Sequence, residues 1–176
     1  MAPGASVHTG VSYVLGLHSD YSTRRLEDYM TNYTLRPARE TELGVIKDLI
    51  HLVGINPMGV DWKRFVVAVN AQDEVIGIGQ LKPHGREILE LASIAVHPEY
   101  RSQGIARAII EYLLKESPRP LYLMCESSNG PLYEKFGFSA ILYDEMPRYF
   151  QRISKLAGLA GTLSHSDERI LIMKLQ

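Results

Sequence analysis

Residues Arg86–Lys115 read REILELASIAVHPEYRSQGIARAIIEYLLK. The segment opens with an apolar run, Ile88 to Val96, interrupted only by Glu90 and Ser93, which is the length and composition of a buried strand. His97-Pro98-Glu99-Tyr100 follows, and the proline ends strand pairing. Beyond Arg101-Ser102-Gln103-Gly104, the residues Ala106, Ile109, Ile110, Leu113 and Leu114 recur at helical spacing. The order is therefore strand, turn, helix, with small residues where the helix begins. The first turn of a helix presents backbone N–H groups without intrahelical partners, and the macrodipole adds partial positive charge there. Gly104 lets a ligand approach the backbone, Ala106 keeps the next position small, and Arg101 adds a formal charge. Together they suit a phosphate or pyrophosphate. The plainer alternative is an ordinary strand-to-helix connection that contains a glycine.

The combined pattern is more specific than its glycine. VHPEYRSQGIA resembles the acetyl-CoA-binding motif of GNAT-type N-acetyltransferases, Arg/Gln-x-x-Gly-x-Gly/Ala after a V-x-P-x-Y/W-R lead. Here that core is Arg101-Ser102-Gln103-Gly104-Ile105-Ala106. A second segment, Leu132-Tyr133-Glu134-Lys135-Phe136-Gly137-Phe138, is similar to the L-Y-E-K-x-G-F element that ends the family's cofactor site. The resemblance covers roughly residues 33–176. The chain also resembles a set of small microbial and fungal members that carry segments similar to R-E-L-A-S-I-A-V and P-L-Y-L-M-C. The resemblance implies an α/β (α+β) fold, with a central, mostly antiparallel sheet of six or seven strands and helices on both faces. Residues 1–32 are expected to be a loosely ordered extension and residues 33–176 the acetyltransferase domain.

Size and composition agree with a globular domain. The chain has 176 residues, 45% hydrophobic and 22% charged, enough to bury a core. A net charge of −1 provides no global field to draw nucleic acid or an anionic membrane. Cys125 is the only cysteine, so no internal disulfide is possible. No apolar run approaches the roughly 20 residues needed to span a bilayer. Val11–Leu17 is short for a signal-peptide core, and Asp20, Glu27 and Asp28 make a poor mitochondrial presequence. A cytoplasmic protein is expected, or a nuclear one.

Along the chain, Thr34–Arg36 reads as a first strand stopped by Pro37, and Ala38–Val53 as a helix with Leu43, Ile46, Leu49, Ile50 and Val53 on one face. Ile55–Trp62 reads as a loop. Phe65–Asn70 and Val75–Leu81 form a hairpin, Lys82–Gly85 a turn and Glu87–Val96 the next strand. After the helix Ile105–Glu116, Leu121–Cys125 is a buried strand, parallel to Glu87–Val96 because a helix connects them. A short helix over Ser127–Phe136, a strand Phe138–Leu142, a helix Met146–Leu159 and a strand Arg169–Leu175 complete the chain.

Acetyl transfer requires that the cofactor be held, the thioester carbonyl be polarised and protons be moved. By resemblance, the backbone of Arg101, Ser102, Gln103, Gly104, Ile105 and Ala106 takes the pyrophosphate, and the pantetheine arm lies along Ile94, Ala95 and Val96 like an added strand. The family also bulges this strand and splays it from its parallel neighbour, so that a freed N–H near Ile94–Val96 would face the thioester. Glu90 lies six residues before Val96, where one subgroup of the family places a catalytic glutamate. It is the candidate base; the alternative is a surface pair with Arg86 or Arg64. Tyr133, with an ordinary pKa of about 10, is the candidate acid; the alternative is plain packing. Cys125 is read as a buried small hydrophobe rather than a covalent nucleophile. His84 and His97 are read in turns, outside any metal-spaced pair, and no metal is expected. Asn129 and Glu126 are expected near the cofactor or acceptor, and Met58 and Trp62 either wall the acceptor site or cap the core.

The expected activity is transfer of an acetyl group from acetyl-CoA to a primary amine, on a small molecule, peptide or protein, by direct attack in a ternary complex. The rival is a non-catalytic acyl-CoA-binding sensor, against which Glu90 and Tyr133 both argue. Longer acyl donors, and a monomer or a homodimer, remain open at this point. Neither nucleic acid nor membrane is expected as a partner.

Overall fold

The computed structural model describes residues 32–55, 59–115, 117–161 and 169–176, with backbone alone for 157–161. The strands are β1 (Tyr33–Pro37), β2 (Phe65–Asn70), β3 (Val75–His84), β4 (Ile88–Val96), β5 (Leu121–Glu126), β6 (Ser139–Ala140) and β7 (Ile170–Leu175). The helices are α1 (Leu43–Leu52), α2 (Ile105–Leu114), α3 (Gly130–Glu134) and α4 (Arg148–Gly161). The seven strands form one sheet in the order β1-β2-β3-β4-β5-β7-β6. Every neighbouring pair is antiparallel except β4–β5. The expected fold class, a mostly antiparallel sheet with helices on both faces, is the one observed.

Period-two alternation along the strands sorts the core into two layers. On one face Val66, Ala68, Ile76, Leu91, Leu121, Leu123 and Met173 meet Ile105, Ile109, Ile110 and Leu113 of α2. On the other face Val67, Val69, Ile78 and Ala95 meet Ile46, Leu49 and Ile50 of α1, while Tyr122 and Ile172 meet Phe150 of α4. Ile105, Ile109 and Ile110 are fully buried. Each contributes about 1.5–3 kcal/mol by leaving water, which fixes α2, and with it the turn that precedes α2, against the sheet.

Several boundaries differ from the sequence reading. The first helix starts at Leu43 rather than Ala38, because Glu40–Glu42 form a 3-10 turn closed by Glu42 accepting from the Arg39 N–H at 2.7 Å. β3 runs on to His84, through the expected turn Lys82–Gly85, and the turn falls at residues 85–87 instead. Phe65 of β2 pairs with Gln80, so beyond that point β3 is locally an edge, where Pro83 is tolerated. The expected strand Phe138–Leu142 shrinks to Ser139–Ala140, while Phe138 is buried in the α2-side core. The expectations for residues 1–31 and for Met58 lie outside the described residues.

The β2–β3 register shifts between Ala68 and Val69, but the sheet opens only beside β4. β4 and β5 pair only over Leu89–Leu91 against Leu121–Leu123. Just beyond, the β3–β4 register slips from Gln80↔Ala92 to Ile78↔Ala95, so that Gly79 alone faces both Ser93 and Ile94. This is a β-bulge, and Ser93 takes a left-handed φ of +55° within it. Gly79 permits it: a Cβ there would lie 2.5 Å from Ile109 Cγ2 and 2.7 Å from Ile94 Cδ1. Ile94 therefore folds over the glycine toward α2.

Candidate active site

The turn that feeds α2 combines two left-handed residues, Ser102 at φ +62° and Gly104 at φ +78°, with a helix start. The first intrahelical bond visible there runs from the Ala108 N–H to the Gly104 carbonyl at 3.0 Å. The N–H groups of the preceding residues are left to point out of the helix end, which is an anion-binding arrangement. Val96, Arg101, Ser102, Gly104, Ile105 and Ala106 line a concavity at this turn. The Ile105 side chain itself is core, so its contribution is backbone. Gln103 is exposed and lines neither cavity of the site.

A cleft of about 550 Å³ opens where β4 and β5 part. Its walls are Leu91–Val96 from β4, Met124, Cys125 and Glu126 from β5, Arg101 and Ala106 from the turn, and Asn129, Leu132 and Tyr133 beyond β5. The bulge, the turn and Tyr133 thus share one cavity. The sequence-derived residues Ile94, Ala95, Val96, Arg101, Ala106, Glu126, Asn129 and Tyr133 come together there. Val53, Gly54 and Ile55, at the end of α1, also line it; Ile55 opens the loop read as an acceptor wall, while Val53 and Gly54 were read only as the helix end. The cleft is within the range of ligand pockets, about 300–1,000 Å³.

Burial, and then the neighbouring Cys125, push the Tyr133 phenol up to about 12. Burial, then Glu126, push the Cys125 thiol up to about 11. Both groups therefore keep their protons near neutrality, which fits the reading of Cys125 as a small hydrophobe.

Two sequence-derived residues lie outside the cleft. Trp62 opens a 3-10 turn, Trp62–Arg64, and packs on the α1-side core, the capping alternative. Glu90 is 6% exposed on the α1/α4 face. It pairs with neither Arg86 nor Arg64, the latter facing Asp61 at 3.5 Å. Its partner is His84, whose Nε2 sits 2.5 Å from Glu90 Oε2. The Tyr149 ring stacks on that imidazole with centroids 3.8 Å apart. The sequence did hold a signal for this pair. A hairpin that closes at His84↔Ile88 places residue 84 diagonally across from residue 90.

Among the described residues no group of three or more His, Cys, Asp or Glu is placed to hold a metal. No described helix is long and apolar enough to cross a membrane.

A bulged strand splaying from its only parallel neighbour, with a glycine turn leading into the crossover helix, is the GNAT fold. Residues 61–140 match the family model described as acetyltransferase (GNAT) domain. A comparison with curated proteins finds no match. Solved structures with the same fold include N-acetylglutamate synthase from Neisseria gonorrhoeae complexed with coenzyme A and N-acetyl-glutamate. It has a TM-score of 0.63 at 16% identity over 83% of this chain. This chain spans 36% of that synthase, little over a third of its length. Rv2747 from Mycobacterium tuberculosis, in complex with CoA and NLQ, is similar with a TM-score of 0.58 at 19% identity, covering 81% of this chain and 99% of that one. Arabidopsis thaliana Naa50, in complex with the bisubstrate analogue CoA-Ac-MVNAL, gives 0.57 at 15% identity, covering 83% and 99%.

Proposed function

We propose that this protein is an N-acetyltransferase that moves an acetyl group from acetyl-CoA to a primary amine by direct attack in a ternary complex. The observation that carries the reading is the shared lining of one cleft by the bulged β4 backbone, the turn at Arg101–Ala106 and Tyr133. In this reading the N–H groups of the turn and the Arg101 charge hold the pyrophosphate. The unpaired edge of β4 at Ile94, Ala95 and Val96 takes the pantetheine amides as a strand would. A backbone N–H at the bulge donates to the thioester oxygen as negative charge develops on it.

The amine nitrogen attacks the carbonyl carbon, and the C–S bond breaks as the thiolate leaves. Tyr133 donates a hydrogen bond to that sulfur. A phenol at about 12 is a weaker acid than an ordinary thiol at about 8.5, so the phenol steadies the thiolate and need not surrender its proton. The nitrogen attacks as the neutral amine, and the proton it sheds after attack is relayed by water in the cleft to Glu90, the proposed base, which lies behind the lining. Asn129 and Glu126 border the cofactor and acceptor ends, and Val53, Gly54 and Ile55 wall the acceptor. The domain comprises residues 33–176, follows an N-terminal extension and works in the cytoplasm.

Calorimetry with acetyl-CoA, together with thiol release against a panel of small amines and N-terminal peptides, tests this. Binding with turnover on one acceptor class, lowered in Tyr133→Phe and Glu90→Gln, supports the enzyme. The absence of acetyl-CoA binding would sink it, and binding without turnover on the whole panel would favour the sensor.

A further inference from the structure

The bulge in β4 does more to Ser93 than displace it. Without the extra residue, the alternation that sends Leu91 toward α2 and Ala92 away would turn Ser93 back toward α2. The slip instead places Ser93 with Ala92 on the α1/α4 face, and Ile94 takes the α2 side over Gly79. The cost is a left-handed backbone at a serine, φ +55°. Strain of this kind persists only where the surroundings fix it, and it concentrates at sites of function.

The surroundings here are specific. Gln80 stands opposite Ala92 in the register and is 1% exposed. Its Nε2 donates to Ser93 Oγ at 3.0 Å. Its Oε1 is buried and has no hydrogen-bond partner among the described residues. A buried amide that leaves its carbonyl unsatisfied is held for what its other end does. Because Gln80 uses a lone pair of Ser93 Oγ, the serine's own proton is not committed to it. Donation from the amide also polarises the hydroxyl and makes it a stronger donor. Ser93 lines the cleft at the point where β4 leaves β5, between Ala92 and Ile94.

We propose that the Ser93 hydroxyl, oriented by Gln80, donates a hydrogen bond to the thioester carbonyl oxygen of bound acetyl-CoA. Ser93 adds a side-chain donor to the backbone donor of the bulge, and Gln80 is its positioning residue. The inference rests on the acetyl-CoA reading above. No bond to Ser93 forms or breaks: the hydroxyl keeps its proton throughout, and the hydrogen bond tightens as charge gathers on the oxygen. A site with such a donor distinguishes acetyl-CoA from CoA before any acceptor arrives, so the test needs no knowledge of the amine.

The experiment is titration calorimetry of the full chain with acetyl-CoA and, separately, CoA. It is paired with the infrared carbonyl band of acetyl-CoA labelled with carbon-13 at the carbonyl. Wild-type protein is expected to bind acetyl-CoA more tightly than CoA and to shift the carbonyl band to lower frequency. Ser93→Ala is expected to weaken acetyl-CoA binding about 5- to 10-fold, leave CoA binding unchanged and reduce the band shift. Gln80→Met should reproduce part of that selective loss, and the double variant should lose no more than Ser93→Ala alone. Thermal melting identifies any variant that has not folded; if Gln80→Met is one, Ser93→Ala carries the test. Equal weakening of both ligands would mean that the Gln80–Ser93 bond only braces the bulge, and would overturn the inference. Unchanged acetyl-CoA affinity and band position in Ser93→Ala would also overturn it, with the acetyl-CoA reading intact. A wild-type protein that binds neither ligand would instead overturn the acetyl-CoA reading, and this inference with it.

Discussion

His84 and Glu90 form a buried pair across the β3–β4 hairpin, Nε2 to Oε2 at 2.5 Å, with the Tyr149 ring as its lid. Their side chains are 9% and 7% exposed, so neither has water to fall back on if the other is removed. His84→Ala is expected to lower stability by about 3–5 kcal/mol, the usual cost of stranding one member of a buried pair. Replacing both, as His84→Leu with Glu90→Leu, should recover much of that loss. Urea unfolding measures both. A single-variant loss under about 1 kcal/mol would mark the pair as screened by solvent.

Gly79 is required by contact rather than by φ. Gly79→Ala drives a methyl into Ile109 and Ile94 at 2.5 and 2.7 Å. It should cost about 1–3 kcal/mol as overpacking and weaken acetyl-CoA binding by shifting the bulge. Gly44 is the control. It is exposed in α1, and a Cβ there meets nothing within 4 Å, so Gly44→Ala should stabilise by about 0.5–1 kcal/mol. Denaturant midpoints and calorimetry separate the two outcomes.

The alkaline limb of stability should carry two steps. Folding raises Cys125 from 9.0 to about 11 and Tyr133 from 10.0 to about 12, both chiefly through burial. Each neutral group favours the folded state below its unfolded pKa. That contribution is lost as pH rises through the folded one: from about 9 to 11 for Cys125, and about 10 to 12 for Tyr133. Tyr133→Phe should flatten the upper part of the limb and Cys125→Ala the lower part. The Cys125 thiol should also alkylate slowly at pH 7.5 and faster as pH approaches 11.

The acid limb has a different source. Arg36 holds Glu42 at 2.6 Å and Asp73 at 2.9 Å, and its hydrogen bonds keep both carboxyls below their usual range. Depressed carboxyls stabilise the fold above their unfolded pKa, and the effect fades as pH falls through the folded value. Glu42→Gln should lower stability at pH 7 and leave a shallower decline below about pH 4.5. Unfolding curves at pH 7 and pH 3 test this.

Arg86–Lys115 was legible because its signals are local: an apolar run broken only at Glu90 and Ser93, a proline, and a helical period. The cavity lining from Ile94 to Ala106 followed by resemblance. What escaped depends on the neighbouring strand. The left-handed Ser93 exists because Gly79, fourteen residues earlier, leaves room for Ile94. His84 sits in Lys-Pro-His-Gly, which has the composition of a turn, yet pairing with β4 draws it into a strand and onto Glu90. Trp62 could have faced ligand or core, and only its packing against the α1-side core decides for the core.

The three residue pairs between β4 and β5 also have a mechanical meaning. β1–β4 form one plate and β5–β7 another, joined by a short seam and by the α2 crossover. A molecule lodged past the end of that seam touches both plates and serves as a rivet. Part of its affinity is then spent resisting their separation, and the backbone amides on both lips of the seam exchange with solvent more slowly when it is bound.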